Sequence, residues 1–272
     1  MARVTRFAPS PTGPLHLGHA FAALLAIDRG DRFLLRVEDI DRPRCRPEFE
    51  AAIFDDLRWL GLAWEEPFLR QSERLAAYDA ALVDLYDAGL AYYCTCTRGD
   101  IKAALSAPQE GAPAIGPDGV IYPGTCRNGR HVTGALRLDM EEAMARLGTV
   151  GFTETGIEAG NHHFDAAQMI AEVGDVVLAR RDIGTSYHLA VVVDDAAQGI
   201  TEVTRGADLS EATRIHIVLQ RLLGLPTPAY HHHRLIRDDA GKRLAKRDDA
   251  RALSKYRAEG ASPQDIRRML GL

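Results

Sequence analysis

Two histidines three residues apart, His16 and His19, flank Gly18 at the end of a Pro/Gly-rich turn that also holds Ser10, Pro11, Gly13 and Pro14. Such a turn between a strand and a helix suits a polyphosphate. The first N–H groups of a helix lack internal partners and carry partial positive charge, two imidazoles one turn apart add donors, and Gly18 lets a ligand approach the backbone. A second group of reactive side chains follows: Glu38, Asp39 and Asp41 stand where carboxylates would meet a ligand at the carboxyl end of a strand. Cys94, Cys96 and Cys126 supply three thiolates, most of a tetrahedral metal site, across a loop with little else to hold it. Chemistry alone leaves the fourth ligand open between His131, the conventional candidate, and Tyr122, the unconventional one. Near the carboxyl end Gly241, Arg243, Lys246 and Arg247 suit a mobile cationic loop closing on a triphosphate. Cys45 sits among arginines with no partner in view and is assigned no role. His162 and His163 are expected in a polar loop. His231, His232 and His233 alternate in direction along an extended segment and so cannot share one metal centre.

The elements that position these residues are read from period and punctuation. Val4 to Ala8 is expected as a buried strand, and Leu17, Phe21, Leu24 and Leu25 give a helix through Asp28. Phe33 to Glu38 reads as the second strand. Helices follow at Pro47 to Leu60 and Glu73 to Ala88, stopped by Gly61 and Gly89. Further on, residues 135–139 are expected as a strand, Met140 to Leu147 as a helix and Thr149 to Thr153 as an edge strand. The apolar, β-branched runs Val173 to Ala179 and Leu189 to Val193 read as central strands. Asp208 to Glu211 resembles a capping box opening a helix through Leu223. Tyr230 to Ile236 reads as extended, and two short helices are expected at Arg251 to Ala258 and Pro263 to Leu270.

At 272 residues the chain can bury a sizeable core, and 46% hydrophobic with 26% charged residues argues against long disorder. A net charge of −5 does not itself point to nucleic acid, because phosphate contacts depend on local clusters of Lys and Arg. No apolar run approaches a membrane span, the first residues lack the apolar core of a signal peptide, and four cysteines in such a chain do not make a disulfide framework. A cytoplasmic protein with no membrane partner is expected, and a monomer.

RFAPSPTGPLHLGH (residues 6–19) resembles the nucleotide-binding signature of class I aminoacyl-tRNA synthetases, with Leu17 where isoleucine is usual. RVEDIDRPR (residues 36–44) and the stretch from Gly174 to Leu209 are similar to the glutamyl branch, and Arg243-Leu-Ala-Lys246-Arg247 resembles its KMSKS motif, with Arg243 for the first lysine and Ala245 for the serine. The resemblance implies an α/β fold: a class I synthetase Rossmann-type parallel sheet with a small zinc-containing insertion and a short helical C-terminal segment. On that pattern residues 1–93 are the first half of the catalytic domain, 94–172 the zinc-binding insertion and acceptor-like subdomain, 173–236 the second half, and 237–272 the KMSKS-like loop and truncated helical segment. It further implies ATP, with Mg²⁺, on His16, Gly18, His19, Arg243 and Lys246, where His16, His19 and Lys246 stabilise charge during catalysis. Glutamate is implied on Arg6, Ser10, Glu38, Tyr187 and Arg205, with Glu38 accepting from the α-ammonium.

CTCTR followed by YxxxC resembles the glutamyl-queuosine tRNA(Asp) branch, in which a tyrosine oxygen completes the metal set; this implies structural zinc on Cys94, Cys96, Tyr122 and Cys126. Residues 248–272 would leave no room for an anticodon-binding domain, which is expected of the same branch. The implied activity is formation of glutamyl-adenylate from ATP and L-glutamate, then transfer of glutamate to queuosine in the anticodon stem-loop of tRNA(Asp). The alternatives are a truncated glutamyl-tRNA synthetase charging a 3′ end and a non-catalytic tRNA-binding paralogue. A nucleotidyltransferase sharing the histidine turn would not explain Tyr187, Arg205 or residues 201–209.

Overall fold

A computed structural model describes residues 2–105, 115–237 and 251–272. Arg243 and Lys246, and the part of the Ala107–Gly119 loop before Ile115, lie outside the described residues. The chain runs β1 (Val4–Phe7), α1 (Leu17–Arg29), β2 (Arg32–Val37), α2 (Pro47–Trp59), β3 (Glu65–Arg70), α3 (Leu75–Asp87) and β4 (Ala91–Cys94). It continues through α4 (Arg98–Leu105), a hairpin of β5 (Ile115–Gly116) and β6 (Gly119–Val120), β7 (Ala135–Leu138), α5 (Met140–Leu147), β8 (Val150–Glu154), β9 (Gly160–Phe164) and α6 (Ala166–Glu172). Last come β10 (Val177–Ala179), α7 (Tyr187–Ala197), β11 (Glu202–Gly206), α8 (Ala212–Leu222), β12 (Ala229–His233), α9 (Leu253–Ala258) and α10 (Pro263–Leu270).

The parallel sheet is built in two parts, β1-β2-β3 and β11-β12-β8, with β9 added antiparallel to β8. They meet where Thr201 N donates to Val4 O (3.0 Å) and Val4 N donates to Thr201 Oγ1 (2.9 Å). No ladder joins β1 to β11 beyond that point among the described residues, so a crevice opens toward the carboxyl ends of the strands. This is the switch point of a doubly wound sheet, where β1 leads outward to β2 on one side and β11 to β12 on the other, and ligands bind at such points.

Period-two alternation sorts the side chains. Thr5, Phe7, Phe33 and Leu35 face α1 and α2, with Thr5 Oγ1 donating to Ala26 O (2.7 Å), while Val4, Arg6, Leu34 and Arg36 face α3 and α7. Among the described residues no helix is long and apolar enough to cross a membrane.

Several expected elements differ. Leu189–Val193 is not a strand but the body of α7, begun by Ser186, whose hydroxyl accepts from Leu189 N. Buried all round, the run shows no period, and a serine cap with enough length decides for helix over the β preference of three valines. Of Val173–Ala179 only Val177–Ala179 is extended, at the edge of the antiparallel sheet β10-β7-β4 rather than in the centre. Conversely, β8 lies between β12 and β9 and is not an edge, because the expected His162–His163 loop is strand β9, with His162 stacked on Phe152 (5.2 Å). The capping box at Asp208–Glu211 does not form: residues Ala207–Leu209 make a 3-10 turn, and α8 starts without a side-chain cap while Glu211 pairs with Arg214 (3.3 Å).

Candidate active site

The crevice between β1 and β11 forms a cavity of about 830 Å³ lined by Arg6, Ser10, His16, Gly18, His19, Glu38, Tyr187 and Arg205. Two helices begin at it. His16 caps α1: its Nδ1 accepts from Gly18 N (3.1 Å), and His19 Nδ1 accepts from His16 N (3.1 Å). Two imidazoles thus do what Ser and Glu do in an ordinary capping box. With both Nδ1 atoms accepting, each ring keeps its proton on Nε2 as a donor. The rings lie against one another at 3.8 Å between centroids, and a Cβ on Gly18 would come 3.0 Å from the His16 ring. Tyr187 opens α7 on the opposite wall, and burial raises its phenol above the usual range.

Charge in the cleft is unevenly paired. Arg6 Nε and Arg36 Nη1 both donate to Asp195 Oδ1, at 2.9 and 2.7 Å, and Arg36 Nη2 reaches Glu38 Oε1 at 3.2 Å. Burial works against the Asp195 charge, but Arg6 and Arg36 prevail and hold its carboxyl below the usual range. Glu38 is the reverse case: burial raises it, and the pull of Arg36 and Arg6 does not restore it. Arg205, also buried, donates from Nε to His232, from Nη1 to His216 and from Nη2 to Thr213. Among the described residues no carboxylate pairs with it.

A second cavity of about 920 Å³ shares Ser10, Glu38 and Tyr187 with the first and extends to Arg98, Tyr122 and Arg180. At its far wall the Sγ atoms of Cys94, Cys96 and Cys126 lie within 4.8 Å of one another. Tyr122 Oη is 3.3 Å from both Cys94 Sγ and Cys96 Sγ. A tetrahedral ion about 2.3 Å from each sulfur would place them about 3.8 Å apart, so three thiols and a phenol oxygen fit a closed metal site. Burial opposes ionisation of Cys126, but hydrogen bonds led by that of Tyr122 lower its thiol to about 6, and the Arg137 guanidinium lies 4.0 Å over the Tyr122 ring. His131 is exposed and is not part of the cluster.

The family model described as tRNA synthetases class I (E and Q), catalytic domain, matches residues 3–272. A glutamyl-Q tRNA(Asp) synthetase of Rhodobacter capsulatus is 65% identical over 281 residues, 99% of this chain and 100% of that protein. The chain belongs to the glutamyl-Q tRNA(Asp) synthetase family. A synthetase of the same description from Nocardia farcinica is 44% identical over 97% of this chain and 82% of its own length. The fold matches the crystal structure of a glutamate tRNA ligase from Elizabethkingia meningosepticum in complex with its amino acid, with a TM-score of 0.76 and 25% identity. All of this chain is covered there, and it spans 61% of that structure.

The synthetase therefore brings its sequence-predicted residues into two places: the eight described residues of the ten in the predicted nucleotide and amino-acid set around one cleft, and Cys94, Cys96, Cys126 and Tyr122 around another point. Cys45 lines a separate shallow pocket with Phe54 and Ser72. Sequence reasoning missed Asp195, which accepts from Arg6, Arg36, which donates to Asp195 and Glu38, and His216 and His232, which accept from Arg205. It also missed Asp175, which accepts from Arg127 and Tyr92 and ties the turn carrying Cys126 to the sheet. Arg36 lies one strand over from Arg6 on the same face, a signal readable from period two. Asp195 stands two residues beyond Leu189–Val193, and a strand over that run hides it.

Proposed function

We propose that the synthetase activates L-glutamate with ATP and Mg²⁺ to glutamyl-adenylate and transfers the glutamyl group to queuosine in the anticodon of tRNA(Asp). The observation that carries this reading is the charge pattern of the cleft: a buried guanidinium with neutral partners, a buried carboxylate and two imidazole Nε2 donors line one cavity. Glutamate offers two carboxylates and an ammonium. Arg205 takes the γ-carboxylate, Glu38 accepts from the α-ammonium, and Arg6, Ser10 and Tyr187 close the pocket. An oxygen of the α-carboxylate attacks the ATP α-phosphorus, the bond to the bridging oxygen breaks, and pyrophosphate leaves. The Nε2–H groups of His16 and His19 and the start of α1 meet the charge that develops, and Lys246 shares that role on its motif. A hydroxyl of the queuosine cyclopentenediol then attacks the adenylate carbonyl and displaces AMP, so no protein nucleophile is needed. The second cavity, joined to the first at Glu38 and Tyr187, gives the nucleoside room to enter. Zinc on Cys94, Cys96, Tyr122 and Cys126 would hold the wall of that cavity as a structural ion, with no open position for chemistry.

The test is glutamate-dependent ATP–pyrophosphate exchange, followed by transfer of labelled glutamate to tRNA(Asp) with and without queuosine. Exchange with queuosine-dependent transfer is expected. Lys246→Ala should lose about 3 kcal/mol of transition-state stabilisation, roughly a hundredfold in exchange rate. Transfer to the 3′ end of tRNA(Glu) would instead favour a truncated glutamyl-tRNA synthetase, and absence of exchange a non-catalytic paralogue.

A further inference from the structure

A guanidinium only donates hydrogen bonds, so every nitrogen facing Arg205 must accept, and this fixes protons well beyond it. Arg205 Nη1 donates to His216 Nδ1 at 3.0 Å, leaving the His216 proton on Nε2, which lies 3.1 Å from His188 Nδ1. His188 then carries its own proton on Nε2, facing Asp118 Oδ1 at 3.4 Å. On the other side Arg205 Nε donates to His232 Nε2 at 3.1 Å, so His232 keeps its proton on Nδ1 and donates to Glu154 Oε2. The second oxygen of Glu154 is held by the backbone N–H groups of Gly156 and His232. The Glu154 arm ends on a hydrogen-bonded carboxylate, which can only accept while ionised, and the His188 arm faces the Asp118 carboxylate across 3.4 Å, so each chain of donors runs in one direction. Burial, and then the Arg205 charge, push His216 and His232 below the usual imidazole range, which agrees with neutral rings.

We propose that His216 and His232, oriented by Asp118 through His188 and by Glu154, are positioning residues that hold Arg205 as an uncompensated cation for the distal carboxylate of the amino acid. This rests on the glutamate reading above. A carboxylate placed directly on Arg205 would fix the guanidinium but neutralise it, and substrate would have to compete. Two neutral imidazoles and the Thr213 hydroxyl fix all three nitrogens and leave the charge to the ligand. A carboxamide at that place leaves a buried charge unmatched, so the arrangement sets preference for glutamate over glutamine. Asp118 lies in the turn of the β5–β6 hairpin, which gives one arm its anchor outside the parallel sheet.

Glu154→Gln tests the proton order at constant shape. Its oxygen can stay on the backbone, but its amide N–H would face His232 Nδ1, pushing that proton to Nε2 and setting it donor to donor against Arg205. In pyrophosphate exchange with the full chain, KM for glutamate should rise at least about tenfold while kcat and KM for ATP stay within about threefold, and preference over glutamine should fall alike. Asp118→Ala, on an exposed hairpin turn, should raise KM for glutamate about threefold by releasing the other arm. In histidine-¹⁵N-labelled wild-type protein, the ring shifts, assigned with H216N and H232N, should show His216 protonated on Nε2 and His232 on Nδ1. Charged rings or the opposite tautomers overturn the proposal whatever the activity. Wild-type exchange with KM unmoved in both variants overturns it alone, whereas no glutamate-dependent exchange in the wild type overturns the glutamate reading and this inference with it.

Discussion

Glu38 follows directly on β2 with its side chain 10% exposed, and burial leaves its carboxyl above the usual range despite Arg36 and Arg6. The sign for function follows from the raised value. Only the ionised carboxylate gives the α-ammonium a charge-assisted partner, so glutamate affinity is present above the Glu38 pKa and is lost as pH falls through it. That loss begins at a higher pH than for an ordinary glutamate near about 4.3. KM for glutamate in pyrophosphate exchange should therefore rise on the acid side well before free carboxylates titrate. Glu38→Gln should cost about 2 kcal/mol at neutral pH, roughly thirtyfold in KM, and should remove the acid limb that the wild type shows. A profile unchanged by Glu38→Gln would remove Glu38 from ammonium recognition. Asp195 behaves oppositely. Its lowered carboxyl keeps Arg6 and Arg36 paired above the ordinary aspartate range, and that support is lost only as pH falls through the lowered folded value, so the acid limb belongs to Glu38 and not to collapse of the arginine pair.

The wall built on the cysteine cluster shows how far elements can be read from sequence. Cys94 closes β4, Cys96 follows two residues on, and the turn with Cys126 is pulled in by Arg127, whose guanidinium donates to Asp175 Oδ1 and Oδ2 at 3.0 and 2.9 Å. The cysteines were legible because ligand chemistry restricts residue type and spacing, whereas Tyr122 followed only from the family resemblance of YxxxC. Asp175 was not, since a buried carboxylate receiving an arginine, a tyrosine and the Met140 N–H is a property of three elements meeting. The strand-turn-helix around His16 was legible for the same reason as the cysteines: glycine, proline and helical period are local signals. The valines of α7 and the histidines of β9 were misread because burial on every side erases period in one, and a polar outer strand shows little apolar alternation in the other. The fourth ligand separates by mutation. Tyr122→Phe should weaken zinc retention against a chelator by at least about tenfold, while His131→Ala should leave it unchanged, both read by metal content after dialysis. Equal retention in the two variants would exclude the tyrosine.

Across the whole molecule the end of the described chain returns to its beginning. Leu253 N donates to Leu15 O at 2.8 Å, Ala252 bridges to His16, Arg267 holds Asp28 of α1 through two bonds of 2.7 and 2.9 Å, and Arg234 Nη2 donates to Leu270 O at 2.5 Å. Leu253, Ile266 and Leu270 are buried in the same cluster as Leu15, Phe21 and Leu24. Helices α9 and α10 therefore buttress the turn that carries the two histidines, and Leu235 and Ile236 line the cleft just ahead of the cationic motif. Glu38 follows β2, Tyr187 opens α7 and Arg205 lies on β11, none of them among the residues that α9 and α10 bond directly in the contacts above. Leu253→Ala should open a cavity under the turn at a cost of about 3 kcal/mol, lowering Tm by roughly 5–10 °C. It should also raise KM for ATP severalfold while KM for glutamate holds, because the displaced donors are those of His16, His19 and the start of α1. A drop in Tm with both KM values unchanged would mean that the C-terminal helices support the core without setting the geometry of the turn.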